Sequence, residues 1–165
     1  MKKNLFFAGL MLCMLAMLSS CDKKKDEPNV VDPVGSVVGT YNGNIDIKMN
    51  GSTIGAIPAA DIVIAKVSDK EVSLSLSNFV IDNLLTEPAT IKIDKCAVAE
   101  SGEGYTLTGK QDVTLSLPLL GPTTCPVEIT NGVIKNGVFT LILTVQAPVM
   151  GQTIPVVVNF TGTRK

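Results

Sequence analysis

Histidine and tryptophan do not occur anywhere in the 165 residues. The first absence removes the commonest general acid/base and the commonest metal ligand. The second removes the usual platform for stacking a sugar ring. No G-x-x-x-x-G-K-[ST] or G-x-G-x-x-G pattern is present, so neither phosphate-cradling loop is indicated. An excess of one charge is lacking too. Fourteen basic residues face 15 acidic ones and form no basic stripe, which argues against a nucleic-acid partner. Asp61, Asp69, Asp82 and Asp94 stand isolated, without the D-x-D-x-D-G spacing of a calcium loop. Serine and threonine are abundant, yet a hydroxyl nucleophile needs an activating base. Without histidine only a lysine, a carboxylate or an amine could serve, and Lys66 and Lys70 flank Ser68 as they would in any polar turn. A non-enzymatic chain with no catalytic set, no metal site and no cofactor is the expectation.

Cysteine is scarce, and its placement is informative. An apolar run from Leu5 to Leu18 follows Lys2 and Lys3 and ends in small residues, which is the layout of a secretory signal. It falls short of the roughly 18 residues expected of a spanning helix. Leu18-Ser19-Ser20-Cys21 resembles a bacterial lipobox, which implies removal of residues 1–20 and lipidation at Cys21. Acyl chains contribute about 0.8 kcal/mol per buried methylene, and two or three of them hold a protein permanently on a membrane. Residues 21–38, with the charged Asp22-Lys23-Lys24-Lys25-Asp26-Glu27 and Pro28 and Pro33, are expected to form a flexible tether. Lys25-Asp26-Glu27 resembles the charged export signal of surface lipoproteins in some Gram-negative gut bacteria. The expected location is therefore the outer membrane, with the surface favoured over the periplasmic face. Loss of residues 1–20 removes two lysines and no acid, leaving a side-chain charge of about −3.

Residues 39–165 are enough for one domain with a real core. Period-2 alternation dominates this stretch. Tyr41, Ile45, Ile47 and Met49 alternate with Asn42, Asn44, Asp46 and Lys48, and Val72, Leu74 and Leu76 with Ser73, Ser75 and Ser77. Val113, Leu115 and Leu117 alternate with Thr114 and Ser116. Asn50-Gly51, Asn131-Gly132 and Asn136-Gly137 tolerate the positive φ of tight hairpin turns. The pattern predicts an all-β domain of about eight antiparallel strands, at 39–50, 60–68, 71–81, 89–100, 104–117, 125–134, 137–147 and 153–163. Short connections favour an up-and-down barrel, which also removes exposed edges; a β-sandwich is the alternative. No apolar series at 3.6-residue spacing is long enough for a substantial helix.

Val38-Gly39-Thr40-Tyr41-Asn42-Gly43, Val72-Ser73-Leu74-Ser75-Leu76-Ser77-Asn78-Phe79, Gly132-Val133-Ile134-Lys135-Asn136-Gly137 and Val158-Asn159-Phe160-Thr161-Gly162-Thr163 resemble, in order and spacing, the calycin-like β-barrel lipoproteins of Gram-negative gut bacteria. The resemblance spans residues 38–163 and implies a lipocalin-like barrel behind a lipoprotein signal, with no catalytic residues to carry over. Cys96 and Cys125 belong to none of these motifs. In an oxidising compartment they are either a disulfide, closing a loop of about 30 residues worth roughly 3–4 kcal/mol, or two buried free thiols.

Three apolar loops break the rule that loops are polar: Leu84-Leu85, Pro118-Leu119-Leu120-Gly121 and Pro148-Val149-Met150-Gly151. They follow the third, fifth and seventh predicted strands, so an alternating barrel gathers them at one end. Leu84, Leu85, Leu119, Leu120, Val149 and Met150 either finish the core or form an apolar rim. The expected partners, beyond the membrane at the lipid anchor, are a small apolar ligand inside the barrel or a protein docked on a filled one.

Overall fold

Inward apolar and outward polar side chains alternate along the strands of the computed structural model, which describes residues 32–165 except 82–84, 103, 119, 150 and the side chain of Val149. The expected signal, Cys21 and most of the tether lie outside the described residues. The strands are β1 (Gly39–Met49), β2 (Ser52–Lys66), β3 (Glu71–Phe79), β4 (Ala89–Ser101), β5 (Gly104–Leu117), β6 (Gly121–Lys135), β7 (Val138–Val149) and β8 (Gln152–Arg164). Each pairs antiparallel with the next, and β8 pairs back onto β1 to close the barrel. The domain is an eight-stranded up-and-down barrel and not a sandwich.

Two strands start earlier than alternation indicates. β2 begins at Ser52 and β6 at Gly121, through stretches interrupted by Pro58, Pro122 and Pro126. Pro58 sits in a bulge whose next residue, Ala59, has φ 54°. Pro122 lies opposite Ser116, whose carbonyl accepts from the Thr86 amide on the far side of β5. That pair is therefore a non-hydrogen-bonded one, and the missing proline amide costs no bond to β5. Asn50-Gly51 and Asn136-Gly137 make hairpin turns with positive φ at both residues. Asn131-Gly132 does not turn; it continues β6 just beyond a bulge at Thr130.

The core is apolar apart from the Tyr41 hydroxyl and the thiols of Cys96 and Cys125, and among the described residues no charged side chain is buried. Tyr41, Phe139 and Phe160 stack edge to face, with ring centroids 5.2 and 5.7 Å apart. The outer face carries Asn, Asp, Lys, Ser and Thr, the reverse of a barrel that faces lipid. No described helix is long and apolar enough to cross a membrane.

One end of the barrel is sealed by a helix that the sequence reading placed in the tether. α1 (Pro33–Val37) is capped by Asp32, whose carboxylate accepts from the Val34 amide, and Pro33 supplies a ready-made first turn. Val34 and Val37 are fully buried, each worth about 2 kcal/mol of apolar burial. The buried Tyr41 hydroxyl donates to the Val37 carbonyl at 2.9 Å. The Arg164 guanidinium donates to the Ser36 and Val38 carbonyls and lies 5.7 Å from the Tyr41 ring. Nothing in helical periodicity announces a five-residue plug; the Asp-Pro cap was the available signal.

The other end is splayed. Pairing of β2 with β3 stops at Ile62↔Leu76, of β4 with β5 at Cys96↔Gly109, and of β6 with β7 at Val127↔Val145. Beyond these points the described strands diverge, leaving the β3–β4 hairpin, the β5–β6 hairpin and the four-stranded β7–β8–β1–β2 ribbon side by side. Bulges stand at or near the forks: Ala59 on β2, Asn78 (φ 56°) on β3, Asp94-Lys95 on β4 and Thr130 on β6.

Closure brings two glycine backbones close together. Gly43 and Gly162 face each other across β1 and β8. A Cβ on Gly43 would collide with the Thr161 carbonyl, and one on Gly162 with the Phe160 ring and the Asn42 carbonyl. Gly162→Ala is expected to cost about 2 kcal/mol, as overpacking of a tight core does, read as a lowered urea midpoint with the slope unchanged.

Candidate functional site

The splayed end is the only barrel end without a plug among the described residues, and its wall is made of side chains that alternation aims inward. Phe79 and Ile81 leave β3, Ile91 enters β4, Leu115 and Leu117 end β5, Val145 and Ala147 end β7, and Val156 and Val158 begin β8. Leu85 folds over them, held by its amide donating to the Ile81 carbonyl at 3.0 Å. These ten residues line a gap of about 30 Å³ with no polar lining atom. That is about one water molecule's share of space, so the barrel is filled. Among the described residues, no cavity of the few hundred cubic ångströms that a hollow ligand carrier requires opens inside the barrel. The reason is the inward set of Ile, Leu, Val and Phe on every strand: eight strands enclose just enough room for their own side chains.

All three apolar loops open at this splayed end, because connections in an up-and-down barrel alternate ends. Their residues fare differently. Leu85 is buried, whereas Leu120 is 48% exposed and Val80 beside the β3 end is 50% exposed. Val149 ends β7 opposite Gln152. Leu84, Leu119 and Met150 lie outside the described residues. Sequence reasoning missed most of the lining, since Phe79, Ile81, Val156 and Val158 read as ordinary strand residues until the forks are known.

Outside the barrel, a depression of about 450 Å³ lies where β6 and β7 part, walled by Lys110, Asp112, Pro126, Glu128, Thr144 and Gln146 among others. Lys110 and Glu128 form an ion pair at 2.8 Å across its floor. Both groups are well exposed, so the pair contributes little to stability. Among the described residues no three His, Cys, Asp or Glu side chains are grouped to hold a metal.

The two thiols are not joined. Cys96 and Cys125 are free and fully buried. Cys96 stands opposite Gly109 and Cys125 opposite Val113, so β5 lies between them and four residues of it separate their levels. Strand spacing and rise put their Cα atoms on the order of 16 Å apart, far beyond the span of about 7 Å that a disulfide can bridge. Burial pushes the Cys96 thiol up to about 12 and raises Cys125 as well. Buried apolar thiols of this kind are inert.

Alkylation of the native protein is therefore expected to leave both thiols unmodified, and alkylation in urea to modify both, by intact mass. The shifted thiol also carries a pH dependence. The ordinary thiol value is 9.0, so the unfolded chain loses this proton while folded Cys96 keeps it up to about 12. Stability conferred this way is complete below the unfolded value and falls as pH rises above it. The urea midpoint should decline between about pH 9 and about pH 11, and less steeply in Cys96→Ala.

None of the curated proteins matches the chain. Among solved structures, a crystal structure of a provisionally named outer membrane protein from Bacteroides fragilis aligns with a TM-score of 0.59 and 18% identity, over 81% of this chain and 53% of that one. The chain thus spans about half the length of that neighbour, and the likeness is one of fold. Residues 37–163, which run from the last residue of α1 to the next-to-last residue of β8, match the calycin-like beta-barrel domain, and the chain belongs to that family.

Proposed function

We propose that the protein is a non-enzymatic, lipid-anchored barrel of the cell envelope that takes a small apolar ligand at its splayed mouth. The observation that carries this reading is the contrast between the two ends. One is plugged by α1 with hydrogen bonds from Tyr41 and Arg164. The other is lined only by apolar side chains and divided into three hairpin blocks with no ladder between them. A ligand of ordinary size exceeds the gap of about 30 Å³. It would bind by spreading the β3–β4 tip, where the forks leave few cross-strand bonds to break, and would bury its apolar part against Phe79, Leu117 and Val156.

The membrane assignment rests on the sequence from Lys2 to Cys21 and is supported by the name of the Bacteroides fragilis neighbour, an outer membrane protein as provisionally assigned. The surface-facing reading rests on Lys25-Asp26-Glu27. A second reading, a protein-interaction module of a surface complex or an enzyme inhibitor, is favoured by the filled interior.

Two outcomes are expected. Cys21→Ala moves the protein from the membrane to the soluble fraction of a cell lysate and removes the acyl mass from the mature chain; unchanged partition would exclude the anchor. Native mass spectrometry of the full chain, purified in mild detergent, shows an adduct that is lost on denaturation and absent from Leu117→Asp, which places a charge at the mouth. A bare mass in the parent protein would remove the small-ligand reading and leave the protein-interaction one.

A further inference from the structure

The three forks differ in how their open edges are protected. Backbone amides and carbonyls on an unpaired strand edge invite another strand, and folded proteins commonly block them with proline. The β2–β3 fork carries Pro58 on β2, and the β6–β7 fork carries Pro122 and Pro126 on one side and Pro148 on the other. The β4–β5 fork has no proline on either edge. Its two edges run over residues 89–95 and 110–117, and Pro88 and Pro118 stand just outside them at the mouth.

What fills the β4–β5 fork instead is peptide-like. The Gln111 side-chain amide lies across it: its Oε1 accepts from the Asp94 backbone amide at 2.7 Å, and its Nε2 donates to the Asp94 carboxylate at 3.0 Å. Nearer the mouth, the Ser116 carbonyl accepts from the Thr86 backbone amide at 3.1 Å and from the Thr86 hydroxyl at 3.3 Å. Each contact supplies an amide or hydroxyl where a neighbouring strand would place a peptide group. Because Ser116 turns its carbonyl to the fork, Asp112 and Thr114, two and four residues earlier, turn their backbone groups the same way. Neither of those two has a partner residue on β4 in the described register, which ends at Cys96↔Gly109.

We infer that the β4–β5 fork is a strand-addition site for an extended peptide, which pairs with the edge of β5 at Asp112 and Thr114 and displaces the Thr86 or Gln111 contact. The recognition is of backbone, with alternate side chains turned to the core side and to water. The partner is a polypeptide segment and not a saccharide, because the described aromatic rings Tyr41, Phe79, Tyr105, Phe139 and Phe160 all lie outside the two edges. The site gives the protein-interaction reading a location, and it is independent of whether the mouth holds a ligand.

The test uses the full chain in detergent micelles and a capped eight-residue probe of alternating valine and threonine with a lysine at each end. Two further probes carry N-methyl groups on alternate residues, one on each side of the strand. Amide NMR shifts are expected to concentrate in residues 89–95 and 110–117, and one N-methylated probe should bind at least tenfold more weakly while the other binds like the parent. Thr114→Pro, which removes a fork-facing amide and leaves the β5–β6 hydrogen bonds in place, should lose binding with the barrel spectrum otherwise retained. No binding at millimolar probe, equal binding by all three probes, or shifts centred on Phe79 and Val156 at the mouth would each overturn the strand-addition site. The last result would assign the peptide to the mouth.

Discussion

The ladder between β1 and β8 is the constraint on which everything else depends. Nine consecutive pairs, from Tyr41↔Arg164 to Met49↔Val156, join the two ends of the domain without a register shift. They hold Tyr41, Phe139 and Phe160 in edge contact, set Arg164 over the plug, and let Gly43 and Gly162 pass at backbone distance. Every other neighbouring pair is a hairpin between sequential strands, which tolerates a fork because the turn keeps its strands together. The β1–β8 pair has no turn. Its continuity is what allows three other pairs to open at one end without the barrel coming apart.

The distribution of polar bonding follows from that arrangement. At the plugged end, side chains complete what the strands leave: Asp32 caps α1, Arg164 satisfies two carbonyls and Lys165 reaches Asp61 at 2.7 Å. At the splayed end the cross-fork bonds are few, and those at β4–β5 come from Gln111 and Thr86. The consequence is a molecule rigid at one end and divided at the other, with apolar lining confined to the divided end. Loops and elements that respond to partners are generally drawn from regions of few cross-links.

How much of this could be read from residues alone depends on what alternation encodes. It reports which face of a strand is inward, so β1, β3, β4, β5, β7 and β8 emerge within a few residues of their observed limits, and eight strands with short turns lead to a barrel. It is silent through Pro58 and Pro122, where strands continue only because a bulge or a non-hydrogen-bonded pair excuses the proline. It says nothing of neighbours at a given height, so the forks and the mouth lining around Val156 were invisible. The same ignorance of register left Cys96 and Cys125 open between a bridge and two thiols, and the intervening β5 decides for thiols. The five-residue plug is below the length at which periodicity exists, although Asp32-Pro33 is a helix start in miniature.

The order of the closing pair has a consequence for biosynthesis. β8 is the last strand of the barrel, and β1 and β7 each lack one of their two neighbours until it arrives. An incomplete chain therefore presents two unsatisfied sheet edges and an unclosed core, and the native state becomes reachable only when residues 152–164 have been made. Folding of the barrel is in this sense deferred until its eighth strand has been made.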